Sequence, residues 1–179
     1  DKRMFLEESL RMPFVIKYSK EIPANNRIDD IILNVDFPSL LLDYAGVPQP
    51  DSFQGKSFRS NLMFKTPPDW RKQMYYRYYA HAQNRPSHMG IRTNHDKLIF
   101  YYGHPLGYKG TYTKQTTPPA WEYYDLENDP KELSNQYNNI ENINIVSKLK
   151  RDLLSLRTEL GDEKTDSDEL KEIIENHWE

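Results

Sequence analysis

The apolar positions of this chain change their periodicity along its length. Residues 12–18, Met-Pro-Phe-Val-Ile-Lys-Tyr, are apolar almost throughout and predict a buried strand entered through a proline, with a turn following at Pro23-Ala24-Asn25-Asn26. The run from Asn34 to Gly46 predicts a short helix in which Asp36 caps amides of the first turn, Pro38 suits that turn and Gly46 suits a left-handed stop. Pro48, Pro50 and Gly55 then make a loop.

Aromatic and β-branched residues cluster next, in Met74–Tyr79, Met89–Thr93, Lys97–Tyr102 and Trp121–Leu126. Turn signals separate these runs, at Asn94-His95-Asp96 and between Gly103 and Pro119, so an antiparallel sheet is expected. Asp129-Pro130 breaks the last strand and leads into a helix over 140–160. There Ile143, Val146, Leu149, Leu153, Leu156 and Leu160 recur at three- and four-residue spacing and form one stripe for the sheet. Gly161 stops it. The acidic segment 162–179 carries a weaker stripe, Leu170, Ile173, Ile174 and Trp178, and is expected to be a short, loosely docked helix.

Composition narrows the function classes. Hydrophobic residues are 37% of 179 positions, enough for a modest core. Lys+Arg (24) and Asp+Glu (27) nearly cancel, leaving a net charge of -3 and no electrostatic case for nucleic acid or an anionic membrane surface. No apolar stretch is long enough to span a bilayer. The absence of Cys removes disulfides, thiolate metal sites and a Cys nucleophile together. His81, His88, His95, His104 and His177 match no compact zinc motif, so no metal site is expected within the chain. The tyrosines, 13 in all, suit a half-buried sheet face, where the ring packs and the hydroxyl stays wet, better than a dedicated sugar-stacking platform.

Four strings carry a family resemblance. Lys2 precedes Glu7, Arg11 and Pro13 at the spacing of a Lys before a Glu-x-x-x-Arg-x-Pro pattern, and Gln54-Gly55-Lys56-Ser57-Phe58 follows the first helix. Pro86-Ser87-His88-Met89-Gly90-Ile91-Arg92-Thr93 leads into Lys97-Leu98-Ile99, and residues 121–135 read Trp-Glu-Tyr-Tyr-Asp-Leu-Glu-Asn-Asp-Pro-Lys-Glu-Leu-Ser-Asn. Together they resemble the C-terminal part of type I, formylglycine-dependent sulfatases over residues 1–160, most closely the branch of N-sulfoglucosamine sulfohydrolase and bacterial glycosaminoglycan sulfatases. The chain opens in mid-element without an initiator Met and is read as a piece of a larger protein.

The resemblance implies an α/β fold of the alkaline-phosphatase superfamily, present in part. Residues 1–70 would end the catalytic domain, 71–161 would form an antiparallel-sheet subdomain with its packing helix, and 162–179 an acidic tail. It further implies a sulfuric ester hydrolase acting on a sulfated glycan, with Lys2 holding sulfate. Arg11 would pair with Glu7 or Glu8 to position that segment, since a buried Arg needs a carboxylate. His88 and Arg92 are candidates for contacts with a sugar hydroxyl or carboxylate. Their competing reading is a pair of side chains that tie the sheet to the main domain by hydrogen bonds.

The family's nucleophile arises from Cys or Ser in a Cys/Ser-x-Pro/Ala-x-Arg motif. The nearest string here, Asn84-Arg85-Pro86-Ser87-His88, is not one. Formylglycine and the calcium ligands are therefore expected in an N-terminal catalytic part of the same protein, and this chain alone is expected to be inactive. A periplasmic or extracellular location also follows from the resemblance. Two rivals remain, a phosphodiesterase or phosphonate hydrolase of the same superfamily and a non-catalytic carbohydrate-binding module.

Overall fold

The computed structural model describes residues 3–82, 84–109, 111 and 113–178. They form two compact units, one of residues 3–12 with 73–178 and one of residues 13–72. This differs from the expected three-part division. The opening residues pack into the sheet unit because Phe5 and Glu7 are buried there, and the acidic tail belongs to the same unit.

The larger unit opens with a single helical turn, α1 (Glu7–Leu10). Its sheet comprises β1 (Gln73–Tyr78), β2 (His88–Thr93), β3 (Asp96–Tyr101) and β4 (Ala120–Asp125), hydrogen-bonded in chain order and antiparallel throughout. Period-two alternation gives the sheet two different faces. Met89, Ile91, Leu98, Phe100, Trp121 and Tyr123 bury against α3 (Ile143–Glu159) through Val146, Leu149 and Leu153, and against α4 (Asp168–His177) through Leu170 and Ile173. The other face holds Ile99, Tyr101, Tyr124 and Leu126, with Phe5 packed among them.

The α3 stripe is shorter than its spacing suggests, for Ile143 and Leu160 at its two ends are exposed. The acidic tail, expected to dock loosely, docks firmly. Leu170 is fully buried, Ser167 Oγ caps α4 by accepting from the Leu170 amide at 3.2 Å, and Trp178 meets Trp121 edge-on with ring centroids 4.8 Å apart. The turn before α4 is tied to β1 by buried charges: Arg77 reaches Asp162 at 2.7 Å and Asp166 at 2.9 Å, and Arg157 pairs with the same two carboxylates.

The smaller unit is built on α2 (Asp36–Ala45), which ends at Gly46 in the left-handed region as expected, with φ 65°. Leu40, Phe58, Leu62 and Trp70 form its core. Asp36 does not cap the helix. Its carboxylate accepts from the Leu33 amide at 2.7 Å and the Lys56 amide at 2.9 Å and pairs with Arg71, so it joins three separated loops instead. Residues 12–18 are not a buried strand in this structure. They carry no ladder, and Met12, Phe14 and Val15 are exposed, because no neighbouring strand lies beside them among the described residues.

Candidate functional site

The sheet face opposite the helices gathers most of the residues singled out in the sequence. Gly90 makes the approach possible. A Cβ there would stand 2.5 Å from Phe5 Cε1 and 2.6 Å from the Leu98 carbonyl oxygen, so only glycine lets the Phe5 ring lie on β2. Phe5 also stacks on Tyr76, with centroids 5.0 Å apart and planes inclined by 15°.

Two residues beyond Phe5, the chain enters a buried charge cluster. Arg92 and Lys97 are register partners on β2 and β3, which sets two cations side by side. Glu7 answers both: Arg92 donates from Nε to Oε1 at 2.9 Å and from Nη2 to Oε2 at 3.0 Å, and Lys97 Nζ lies 2.9 Å from Oε1. Glu132 closes the group, accepting from Lys97 Nζ at 2.5 Å and from the Glu7 amide at 2.7 Å. Two carboxylates thus balance two cations, the arrangement that buried charges require. Burial pushes the Glu7 carboxyl up, but hydrogen bonds and charge from Arg92 and Lys97 outweigh it and bring it down to about 2. Lys97 Nζ also sits 5.1 Å from the centre of the Phe5 ring.

The expected Arg11 pair is therefore replaced. Arg11 is exposed, and Glu7 turns to the sheet because two cations already converge there. The third guanidinium nitrogen of Arg92 donates to the Thr93 carbonyl at 2.9 Å, so every nitrogen of that side chain is engaged within the unit.

His88 lies further along the same face, fully buried between Tyr76, Tyr78 and Tyr101, whose ring centroids are 5.8, 5.6 and 5.2 Å away. Its Nδ1–H donates to the Pro86 carbonyl at 2.7 Å, which places the lone pair on Nε2, buried and without a hydrogen-bond partner among the described residues. Burial pushes the imidazole down to about 4, against the opposing pull of the Pro86 carbonyl. Lys2 lies outside the described residues, so its expected role as sulfate holder is carried forward by sequence alone.

The sequence reading missed Lys97, Glu132 and Phe5 as members of this group. The signal for Glu132 was present in the Asp129-Pro130-Lys131-Glu132 string, but a turn motif does not reveal that its last residue reaches a lysine 35 positions earlier.

A pH dependence follows. Both groups have folded values below their ordinary ones, 6.5 for His88 and 4.5 for Glu7, so the unfolded chain binds more protons as pH falls. Stability should therefore be complete above about pH 6.5, decline toward pH 4 as His88 is charged, and decline again from about 4.5 toward 2 with Glu7. Urea melts of wild type and His88→Phe between pH 7 and 4 would check this. The variant should lose the upper limb of the decline, and an unchanged slope would show that His88 does not carry it.

What the arrangement does chemically is hold the opening segment against the sheet. Among the described residues no group of three or more His, Asp or Glu is placed to hold a metal, and the chain has no Cys.

Comparison with known proteins fits this geometry. Residues 1–159 match the family model described as N-sulphoglucosamine sulphohydrolase, C-terminal. The chain is 37% identical over 172 residues to an N-acetylglucosamine-6-O-sulfatase of Bacteroides thetaiotaomicron, a match that covers 94% of this chain and 28% of the relative. An arylsulfatase of Clostridium perfringens is 28% identical over 138 residues, 75% of this chain and 25% of the relative. A solved structure of a protein in complex with its substrate D-glucosamine-2-N,6-O-disulfate superposes with a TM-score of 0.70 at 34% identity, covering 83% of this chain and 28% of that one. The chain thus spans about a quarter of the length of the curated relatives it matches. Phosphonate monoester hydrolase of Agrobacterium radiobacter shares the fold, at 19% identity and a TM-score of 0.51, over 69% of this chain and 24% of that one.

Proposed function

The chain belongs to the N-sulphoglucosamine sulphohydrolase C-terminal family, and from that premise we propose that it is the C-terminal part of a sulfatase that removes sulfate from sulfated glucosamine units of a glycan. The observation that carries the reading is the similarity, at 34% identity, to a protein solved with D-glucosamine-2-N,6-O-disulfate, together with 37% identity to a glucosamine 6-O-sulfatase. A catalytic part of the same polypeptide, preceding this chain, would contain the reacting groups. The calcium ion and formylglycine that the family implies do not fit the residues of this chain, which offer no metal-ligating cluster among those described and no precursor motif, and no step is derived through them. A periplasmic or extracellular place of action suits a polymeric glycan substrate, and no described helix is long and apolar enough to cross a membrane.

This chain's own contribution is to anchor and orient. Lys2 would stabilise the sulfate as charge shifts onto its oxygens. The segment that carries it is held three residues on by Phe5 and five residues on by Glu7, both buried on the sheet. His88 and Arg92 belong to that anchorage. Arg92 engages each of its three nitrogens with Glu7 or Thr93, and His88 is enclosed by tyrosines, so we read them as positioning residues, with direct sugar contact as the alternative.

The test uses the full-length polypeptide. It should release sulfate from N-acetylglucosamine 6-sulfate, whereas this chain alone should release none; hydrolysis of a phosphonate monoester, such as the phenyl ester of phenylphosphonate, in place of the sulfate ester would overturn the assignment. With Arg92→Ala or His88→Phe, turnover of the amino sugar sulfate and of a small aryl sulfate should fall in the same proportion, with a lower Tm. A loss confined to the sugar substrate at unchanged Tm would make these side chains substrate contacts.

A further inference from the structure

Charge is distributed unevenly along this chain. Of its 27 Asp and Glu residues only Asp96 falls between Trp70 and Trp121, and Asp96 opens β3 at the turn from β2. The opposite end of the sheet carries the loops 79–87 and 102–119, and neither contains a carboxylate. The buried cations of this stretch are balanced from outside it, Arg77 by Asp162 and Asp166, Arg92 and Lys97 by Glu7 and Glu132. Lys109 and Lys114 of the second loop are not. Both are exposed, and among the described residues neither pairs with a carboxylate, for Glu169 meets the loop at His104 instead.

The second loop is built rather than loose. A connection longer than about 12–15 residues without helix or strand is uncommon in a compact unit and usually functional, and this one is fastened along its length. Ser87 Oγ donates to the His104 carbonyl at 2.8 Å and accepts from the His104 amide at 3.1 Å. Tyr108 Oη donates to the Thr165 carbonyl at 3.3 Å and accepts from Arg77 at 3.2 Å, and His81 Nε2 donates to the Gln115 carbonyl at 2.8 Å. Gly103, with φ 60°, closes the base: its carbonyl accepts from the Thr117 amide at 2.9 Å, and a Cβ there would stand 2.4 Å from the Thr117 carbonyl oxygen. Lys109 directly follows the Tyr108 fastening and Lys114 directly precedes the one at Gln115, so both ammonium groups extend from an ordered backbone, which lowers the entropy lost on binding. The opening segment shares this end of the sheet. Phe5 lies against Gly90 and Glu7 against Arg92, so the chain enters along β2 from its His88 end.

We propose that Lys109 and Lys114 bind an anionic group, sulfate or carboxylate, on the sugar unit adjoining the one that is desulfated, a reading that rests on the sulfated-glycan assignment above. Two exposed ammonium groups on loops free of carboxylates attract a polyanionic chain. A monosaccharide sulfate has no adjoining unit and makes no such contact. The two lysines are therefore specificity determinants that favour a charged oligosaccharide, and they act on substrate binding rather than on the chemistry at sulfur.

Kinetics of the full-length polypeptide on two substrates test this, N-acetylglucosamine 6-sulfate and a heparin tetrasaccharide that contains 6-sulfated glucosamine. In the double variant Lys109→Gln, Lys114→Gln, kcat/KM for the tetrasaccharide relative to the monosaccharide should fall by about five- to tenfold, through KM and not kcat. The double variant Lys109→Arg, Lys114→Arg should restore the ratio. Added salt should raise the wild-type KM for the tetrasaccharide and raise that of the Gln variant less. A carboxyl-reduced tetrasaccharide separates the two sources of charge: a difference between wild type and Gln variant that persists assigns the lysines to sulfate, and one that vanishes assigns them to carboxylate. Equal losses on monosaccharide and tetrasaccharide, or a tetrasaccharide KM that does not move, would overturn the proposal. Calorimetric Kd for the tetrasaccharide gives a readout independent of turnover and should weaken by the same factor in the Gln variant. If the unaltered polypeptide released no sulfate from either substrate, the sulfatase assignment would fail, while the Kd comparison would still decide whether the lysines bind the anion.

Discussion

Replacing Lys2 with Ala in the full-length polypeptide should lower turnover of a sulfated glucosamine by about a hundredfold or more, the usual loss when one fixed group that stabilises developing charge is removed. The Tm should not move, because the side chains that hold this segment to the sheet are Phe5 and Glu7, downstream of Lys2. Lys2→Arg is the informative companion. It keeps the charge but replaces a compact ammonium with a broad planar fork, and it should recover only part of the activity. Near-normal turnover by Lys2→Ala would show that the opening string does not hold sulfate. A fall in Tm would instead make Lys2 part of the anchorage.

The readable and unreadable parts of this structure divide on a physical line. The four strands and α3 are legible because burial on one side imposes a period on the side chains, and period is a local property of sequence. Gly46 is legible because a left-handed stop selects glycine. The charge cluster is not, since Glu7, Arg92, Lys97 and Glu132 lie in separate stretches of sequence and nothing local to any of them names its partners. Asp36 misled for the same reason. Its position suits a cap, yet Arg71 claims its carboxylate from 35 residues away. The tail from 162 onward looked loose because its stripe is weak, and its docking depends on Asp162 and Asp166 meeting Arg77 and Arg157, which no periodicity records.

The largest stability effect should come from Glu132. Its side chain is almost wholly buried, it satisfies the fully buried ammonium of Lys97 and the Glu7 amide, and it does so from a left-handed backbone with φ 56°. That conformation costs a non-glycine residue on the order of 1–2 kcal/mol, a strain that the two bonds hold in place. Glu132→Ala keeps the strain and removes the carboxylate, leaving one excess buried positive charge, so a loss of about 3–5 kcal/mol is expected. Glu132→Gly removes the same carboxylate but relieves the backbone, and should be less damaging than Ala by about 1 kcal/mol. The exposed pair Lys148–Asp152 on α3 is the control, and breaking it should cost no more than about 0.5 kcal/mol. Denaturant melts of the three variants give the ordering directly. If Glu132→Ala fell within the range of the control, the cluster would not be what holds the opening segment on the sheet. If Ala proved milder than Gly, the left-handed backbone at this position would carry no strain.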